Sequence, residues 1–150
     1  MAIEMPGKLI QALQALKISP DNVKFLIVSD LTKDFANGES WLVALHDRLI
    51  HLSAEMYSEP ELVAEVLKKK IAQVSVSKTF LRNLQMVFAG AGGKELIRFE
   101  ISAVLEKDWD SNQEVLEKLF PGKVHFSSEA VASSNVFQSA YKLPELPGDE

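Results

Sequence analysis

At 150 residues, with 47% hydrophobic and 25% charged content, the chain suits one globular domain that buries about 68–70% of its unfolded surface, and its composition argues against wholesale disorder. The absence of cysteine rules out disulfides, thiolate metal cages and thiol nucleophiles, and fits a cytoplasmic setting. A net charge of −5 argues against general nucleic-acid binding, which needs Lys and Arg to neutralise phosphates, and gives no global attraction to anionic membranes.

Met1-Ala2-Ile3-Glu4-Met5-Pro6 lacks the basic stretch and apolar core of a secretory signal. No run approaches the roughly 18 apolar residues that a spanning helix needs. Leu9, Leu13 and Leu16 lie at i, i+4 and i+7, with Ile10 and Ala12 widening the stripe. They predict a short helix that Ser19-Pro20-Asp21-Asn22 ends. Residues 1–22 are thus an N-terminal helical unit whose apolar face docks on the main body. Residues 23–29 are dense in β-branched and aromatic side chains and predict a buried strand. Residues 33–40 read as a polar loop with Asn37-Gly38 as its turn. Trp41-Leu42-Val43-Ala44-Leu45 and Leu49-Ile50-His51-Leu52 then form a hairpin across Asp47-Arg48.

Residues 57–70 carry two signals. Ser58 with Glu61 fits a helix capping box, and Leu62, Val66 and Lys69 keep helical spacing. Leu62-Val63-Ala64-Glu65-Val66 also makes a short edge strand. Residues 71–77 and 84–88 predict strands, and Gly90-Ala91-Gly92-Gly93-Lys94 permits a tight reversal. Ile97, Phe99 and Ile101 alternate with Arg98 and Glu100, the cleanest two-faced strand. Ser102 can cap a helix over 102–120, one face of which is marked by Leu105, Trp109, Asn112, Leu116 and Leu119 and which Pro121-Gly122 stops. Residues 121–150 are Ser-rich, then acidic and Pro-punctuated. They read as a loosely structured extension whose last eight residues are a tail.

This strand series closed by one long helix resembles the pleckstrin-homology-like fold. The resemblance covers residues 23–120. Two segments carry a narrower similarity, to the domain ahead of the membrane region in some bacterial ABC-type exporters. One is Trp41-Leu42-Val43-Ala44-Leu45-His46-Asp47-Arg48-Leu49-Ile50, and the other runs from Glu61 through Leu96-Ile97-Arg98-Phe99-Glu100-Ile101-Ser102 to Trp109. The resemblance implies an α+β, mainly β domain. It would be a seven-stranded antiparallel barrel or orthogonal sandwich with a C-terminal capping helix and a short N-terminal helix. It also implies that residues 62–66 are a strand, and we follow it there because helix propensity yields readily to tertiary context. The chain departs from the exporter pattern in having no Walker-type Gly-Lys-Ser/Thr motif.

Lys68-Lys69-Lys70 is the only local basic run, a candidate surface for an anion, lipid phosphates or an acidic partner. Its purely structural role would be a charged edge that discourages strand pairing. His46, His51 and His125 show no converging third ligand for a metal, and a partly exposed hairpin position suits His46 and His51. Trp109 falls on the helix's apolar stripe and reads as core, and Gly90-Ala91-Gly92-Gly93 precedes a strand, so it is not a phosphate cradle. No catalytic motif, metal set or cofactor site is recognisable. The sequence therefore points to a non-catalytic binding, regulatory or docking module with a protein partner, and the resemblance implies an association with a membrane transport system. The alternatives are an anionic-lipid binder acting through Lys68, Lys69 and Lys70, and a small enzyme without a known motif.

Overall fold

The computed structural model of the chain describes residues 4–131. It is an α+β, mainly β structure. An N-terminal helix, α1 (Gly7–Ala15), precedes a four-stranded antiparallel meander of β1 (Phe25–Leu31), β2 (Asn37–Ala44), β3 (Arg48–Glu55) and β4 (Glu61–Leu67), in that spatial order. A second four-stranded sheet holds β5 (Gln73–Thr79), β6 (Leu84–Ala89), β7 (Glu95–Ile101) and β8 (Val124–Val131) in the order β7-β6-β5-β8. Between β7 and β8 lie a 3-10 segment, Ala103–Asp108, and the helix α2 (Trp109–Leu119).

The two central strands of the first sheet are covered on both faces, which is why β2 from Ser40 onward and nearly all of β3 are buried. On the outer face, Leu9 and Leu13 of α1 pack with Trp41, Val43, Ile50 and Leu52. On the inner face, cross-strand pairing lines up three rows of different polarity. Phe25, Ala44, Leu49 and Val66 form an apolar row, and Ile27, Leu42, His51 and Ala64 a mixed one. Ser29, Ser40, Ser53 and Glu61 form a polar row. The first two rows meet Val74, Val76, Met86, Phe88, Ile97 and Phe99 of the second sheet in the main core. The serine row is satisfied internally: Ser29 Oγ donates to the Glu100 carbonyl at 2.5 Å, and Ser40 Oγ to the Leu31 carbonyl at 2.6 Å.

Helix α2 lies along the second sheet, with Trp109 beneath Lys78 of β5 and the ring of Phe120, just past its end, against Phe88 of β6. Trp109, Leu116 and Phe120 are buried there, while Leu105 and Leu119 are half-buried. The helical stretch is not uniform. Ser102 Oγ accepts the Val104 amide at 3.2 Å, and Leu105 leaves helical geometry (φ −97°, ψ 20°), so a 3-10 turn precedes α2.

Several sequence expectations are corrected. There are eight described strands rather than seven, and of the two expected forms, barrel or sandwich, the two separate sheets exclude the closed barrel. Residues 124–131, expected to be loosely structured, form β8, which pairs parallel to β5 through Val74 with Val124 and Val76 with Phe126. The geometry follows from α2: the helix runs back along β5, and Gly122 (φ 74°) reverses the chain again. Residues 132–150, including the acidic tail, lie outside the described residues. Asn37-Gly38 is not a turn but opens β2, and the reversal falls at residues 33–36. Arg48 is the first residue of β3, and the hairpin turn comes earlier, closed by the Leu45 amide on the Arg48 carbonyl at 2.9 Å. The strand reading of residues 62–66 holds: β4 spans Glu61–Leu67 despite its helical spacing.

Candidate functional site

Lys68, Lys69 and Lys70 form a single 3-10 turn that carries the chain from β4 of the first sheet to β5 of the second. The Lys68 amide donates to the Asp47 carbonyl at 2.8 Å, holding this turn against the β2–β3 turn. The end of α2 faces it. The Phe120 amide closes the helix on the Leu116 carbonyl at 2.9 Å, and Lys123 Nζ reaches back to the Ile71 carbonyl at 3.2 Å. Three loops thus converge on one groove of about 470 Å³.

The groove has an apolar floor and a basic rim. Leu119, Phe120 and Pro121 contribute the floor, with His46, Lys68, Lys69 and Lys123 around it and Asp47 the one acidic residue in the lining. The Lys68 ammonium sits 5.8 Å from the Phe120 ring centroid, so its charge is held over the floor. Of the residues singled out in the sequence, Lys68 and Lys69 come together here and Lys70 does not. The Lys70 carbonyl instead packs against Gly90, where a Cβ would lie 3.3 Å away. Lys123 and His46 complete the rim, and nothing in the sequence groups them with the lysine run. Their one signal is position: Lys123 follows the Pro121-Gly122 helix stop, and His46 precedes the Asp47-Arg48 pair.

The histidines separate. His46 lines the groove, and His125 is exposed on β8. His51, expected to be partly exposed, is only 3% exposed because the inner face of β3 is sealed by the second sheet. Its ring meets Phe99 edge-on at 5.3 Å, and its Nε2 has no hydrogen-bond partner. Burial, with Lys33 nearby, lowers its pKa to about 4. Asp30, a carboxylate that could have served a histidine, is engaged by Ser102 instead. Both tryptophans are core: Trp41 is buried beneath α1, and Trp109 lies within the inter-sheet cluster.

The groove can hold an anionic group that carries apolar surface. Lysines supply charge and hydrogen-bond donors, while the floor rewards burial of methylenes or rings. Among the described residues, no group of three or more His, Asp and Glu is placed to hold a metal ion, and no helix is long and apolar enough to cross a membrane. Comparison of the chain with protein-family models, with curated proteins and with solved structures finds no match.

Proposed function

We propose that the protein is a non-catalytic docking module that captures an acidic, partly apolar segment of a protein partner in the Lys68–Lys69–Lys123 groove. The observation that carries this reading is the convergence of three cations from two separate parts of the chain, Lys68 with Lys69 and Lys123, on an apolar floor. A charged edge meant only to block strand pairing would need no such floor. The concave shape and the net charge of −5 favour a peptide segment over an anionic bilayer, which would be repelled by the rest of the surface. The two four-stranded sheets and C-terminal helix also support a pleckstrin-homology-like relationship. On the resemblance to bacterial exporter domains, the partner belongs to a membrane transport system.

The test is an amide-shift titration of the ¹⁵N-labelled protein with a synthetic Glu/Leu-rich peptide, run beside co-sedimentation with phosphatidylserine vesicles. We expect saturable, salt-sensitive shifts at His46, Lys68, Lys69 and Lys123 with the peptide. These shifts should be lost in the Lys68→Glu/Lys69→Glu variant, and the vesicles should not bring the protein down. Vesicle binding without a peptide response transfers the groove to lipid, and no response to either ligand removes the reading.

A further inference from the structure

The edges of the two sheets leave a second, chemically different cavity. Strands β4 and β7 are edge strands of their respective sheets and share no hydrogen-bond ladder. The gap between them is a cleft of about 360 Å³. His51, Val63 and Leu96 line it together with Phe35, Lys33 and Arg98.

The residues around this cleft depart from regular sheet geometry. Opposite His51 and Leu52, β4 pairs through Ala64 and Leu62, so Val63 is an extra residue in a bulge. Bulges of this kind turn a side chain out of the regular alternation, and they recur beside functional sites. Phe35 holds a left-handed backbone (φ 65°), which is rare for an aromatic residue. His51 is buried with Nε2 unpartnered. Its lowered pKa leaves the ring neutral at pH 7, with one N–H and one free lone pair.

Positive charge in the cleft comes from Lys33 and Arg98, and Glu95 is the acidic residue of the lining. Lys33 pairs with Glu61, which raises the lysine's pKa by its hydrogen bond and its charge. Arg98 spends Nε and Nη2 on Glu95, and its Nη1 takes no part in that pair. Both pairs are substantially exposed, so a ligand carboxylate can compete with them at little net cost.

We propose that this cleft binds a small organic acid, with its carboxylate between Lys33 and Arg98 and its apolar body against Val63, Leu96 and the His51 ring. The volume lies near the lower end of the roughly 300–1,000 Å³ of small-molecule sites, which points to a ligand of modest size. Glu61 and Glu95 beside the two cations oppose more than one negative charge, which favours a monocarboxylate over phosphate. The neutral imidazole ring adds an uncharged wall to the cleft beside Val63 and Leu96. This inference is independent of the lysine groove and involves none of its residues.

The experiment titrates the ¹⁵N-labelled full chain with acetate, hexanoate and inorganic phosphate, following amide shifts and the long-range ¹⁵N–¹H spectrum of the His51 ring. Hexanoate is expected to give saturable shifts at His51, Val63 and Leu96 and to bind at least about tenfold tighter than acetate, because its added methylenes are buried. The His51 ring signals should shift on binding while the ring stays neutral. Arg98→Ala should weaken hexanoate at least about fivefold through loss of a charge-assisted hydrogen bond, with an unchanged spectrum elsewhere. Lys68→Ala, in the other groove, should leave it unaffected. Absence of saturable shifts, phosphate binding as tight as hexanoate, or an Arg98→Ala variant that binds like the parent would each overturn the assignment.

Discussion

The hydroxyl of Ser102 donates to Asp30 Oδ2 at 2.5 Å, and the Ser102 amide donates to Oδ1 of the same carboxylate at 3.2 Å. Asp30 belongs to β1 and Ser102 directly follows β7, so the pair joins the two sheets where strand gives way to helix. The same hydroxyl oxygen accepts the Val104 amide, and Asn83 Oδ1 accepts the Ala103 amide at 3.3 Å. The start of the C-terminal helical segment is therefore anchored to both sheets.

Asp30→Ala removes both acceptors from a partly buried site. Hydrogen bonds to charged groups contribute about 1.5–3 kcal/mol, and that is the expected loss in urea unfolding. Ser102→Ala should cost less, because the amide keeps its partner. The double variant should fall short of the sum, since both changes remove the same contact. Strict additivity would show that the two residues act separately.

Gly38 tests a close approach rather than a turn. A Cβ there would lie 2.6 Å from the Ala54 carbonyl oxygen and would also press on Thr32 Cγ2. The carbonyl belongs to β3, paired with β2 across this point, and cannot move aside without opening the ladder. Gly38→Ala should cost about 1–3 kcal/mol, the range for forced overpacking, and should lower the thermal midpoint. A variant as stable as the parent would mean that β2 and β3 separate freely here.

His51 makes stability depend on pH in a defined window. Its pKa falls from 6.5 to about 4 in the fold, so the unfolded chain binds the proton more readily. Stability from this residue is complete above about pH 6.5, declines as the pH falls, and is gone below about 4. The shift corresponds to about 3 kcal/mol. Glu100 acts in the opposite sense: burial raises its pKa, against hydrogen bonds from Asn83 and Gln85 and the charge of Arg98, so its contribution is lost as pH rises above 4.5. The comparison must therefore be between the parent and His51→Leu, with unfolding free energies measured from pH 4 to 7.5. The parent should lose stability relative to the variant as the pH drops through this window. Parallel curves would place the imidazole in contact with solvent.

Much of the body is legible in local pattern, and the parts that are not have physical causes. Ile97, Phe99 and Ile101 alternate cleanly because β7 has one face on the core. Leu9 and Leu13 are equally clear because α1 buries a single stripe. β4 is ambiguous because what selects a strand is its hydrogen-bonded pairing with β3, not its own apolar spacing. β8 escapes a local reading because parallel pairing with β5 depends on the path of α2, which no short window contains. In the lysine groove, Lys68 and Lys69 are visible as a run, but Lys123 joins them only through the ending of α2. The burial of His51 is hidden for the same reason, since the second sheet covers it and nothing adjacent in sequence does.

Trp109 offers the sharpest test of the contact between α2 and the second sheet. It is 5% exposed and belongs to the cluster formed by both sheets. Its Nε1 is buried without a hydrogen-bond partner, so its contribution is packing rather than polarity. Trp109→Ala should therefore cost about 3–5 kcal/mol, as large-to-small core changes do. Trp109→Phe retains the ring contact and discards the unpaired N–H, so its cost should be clearly smaller. Lys78, whose ammonium lies 5.2 Å from the indole centroid, adds a weaker layer. Lys78→Ala should cost about 0.5–1 kcal/mol, and little or nothing once Trp109 is alanine, because the cation–π partner is gone. Denaturant titration of the three single variants and the Trp109→Ala/Lys78→Ala double variant separates these terms. A Trp109→Ala protein as stable as the parent would detach α2 from the core and leave the lysine groove without its apolar wall.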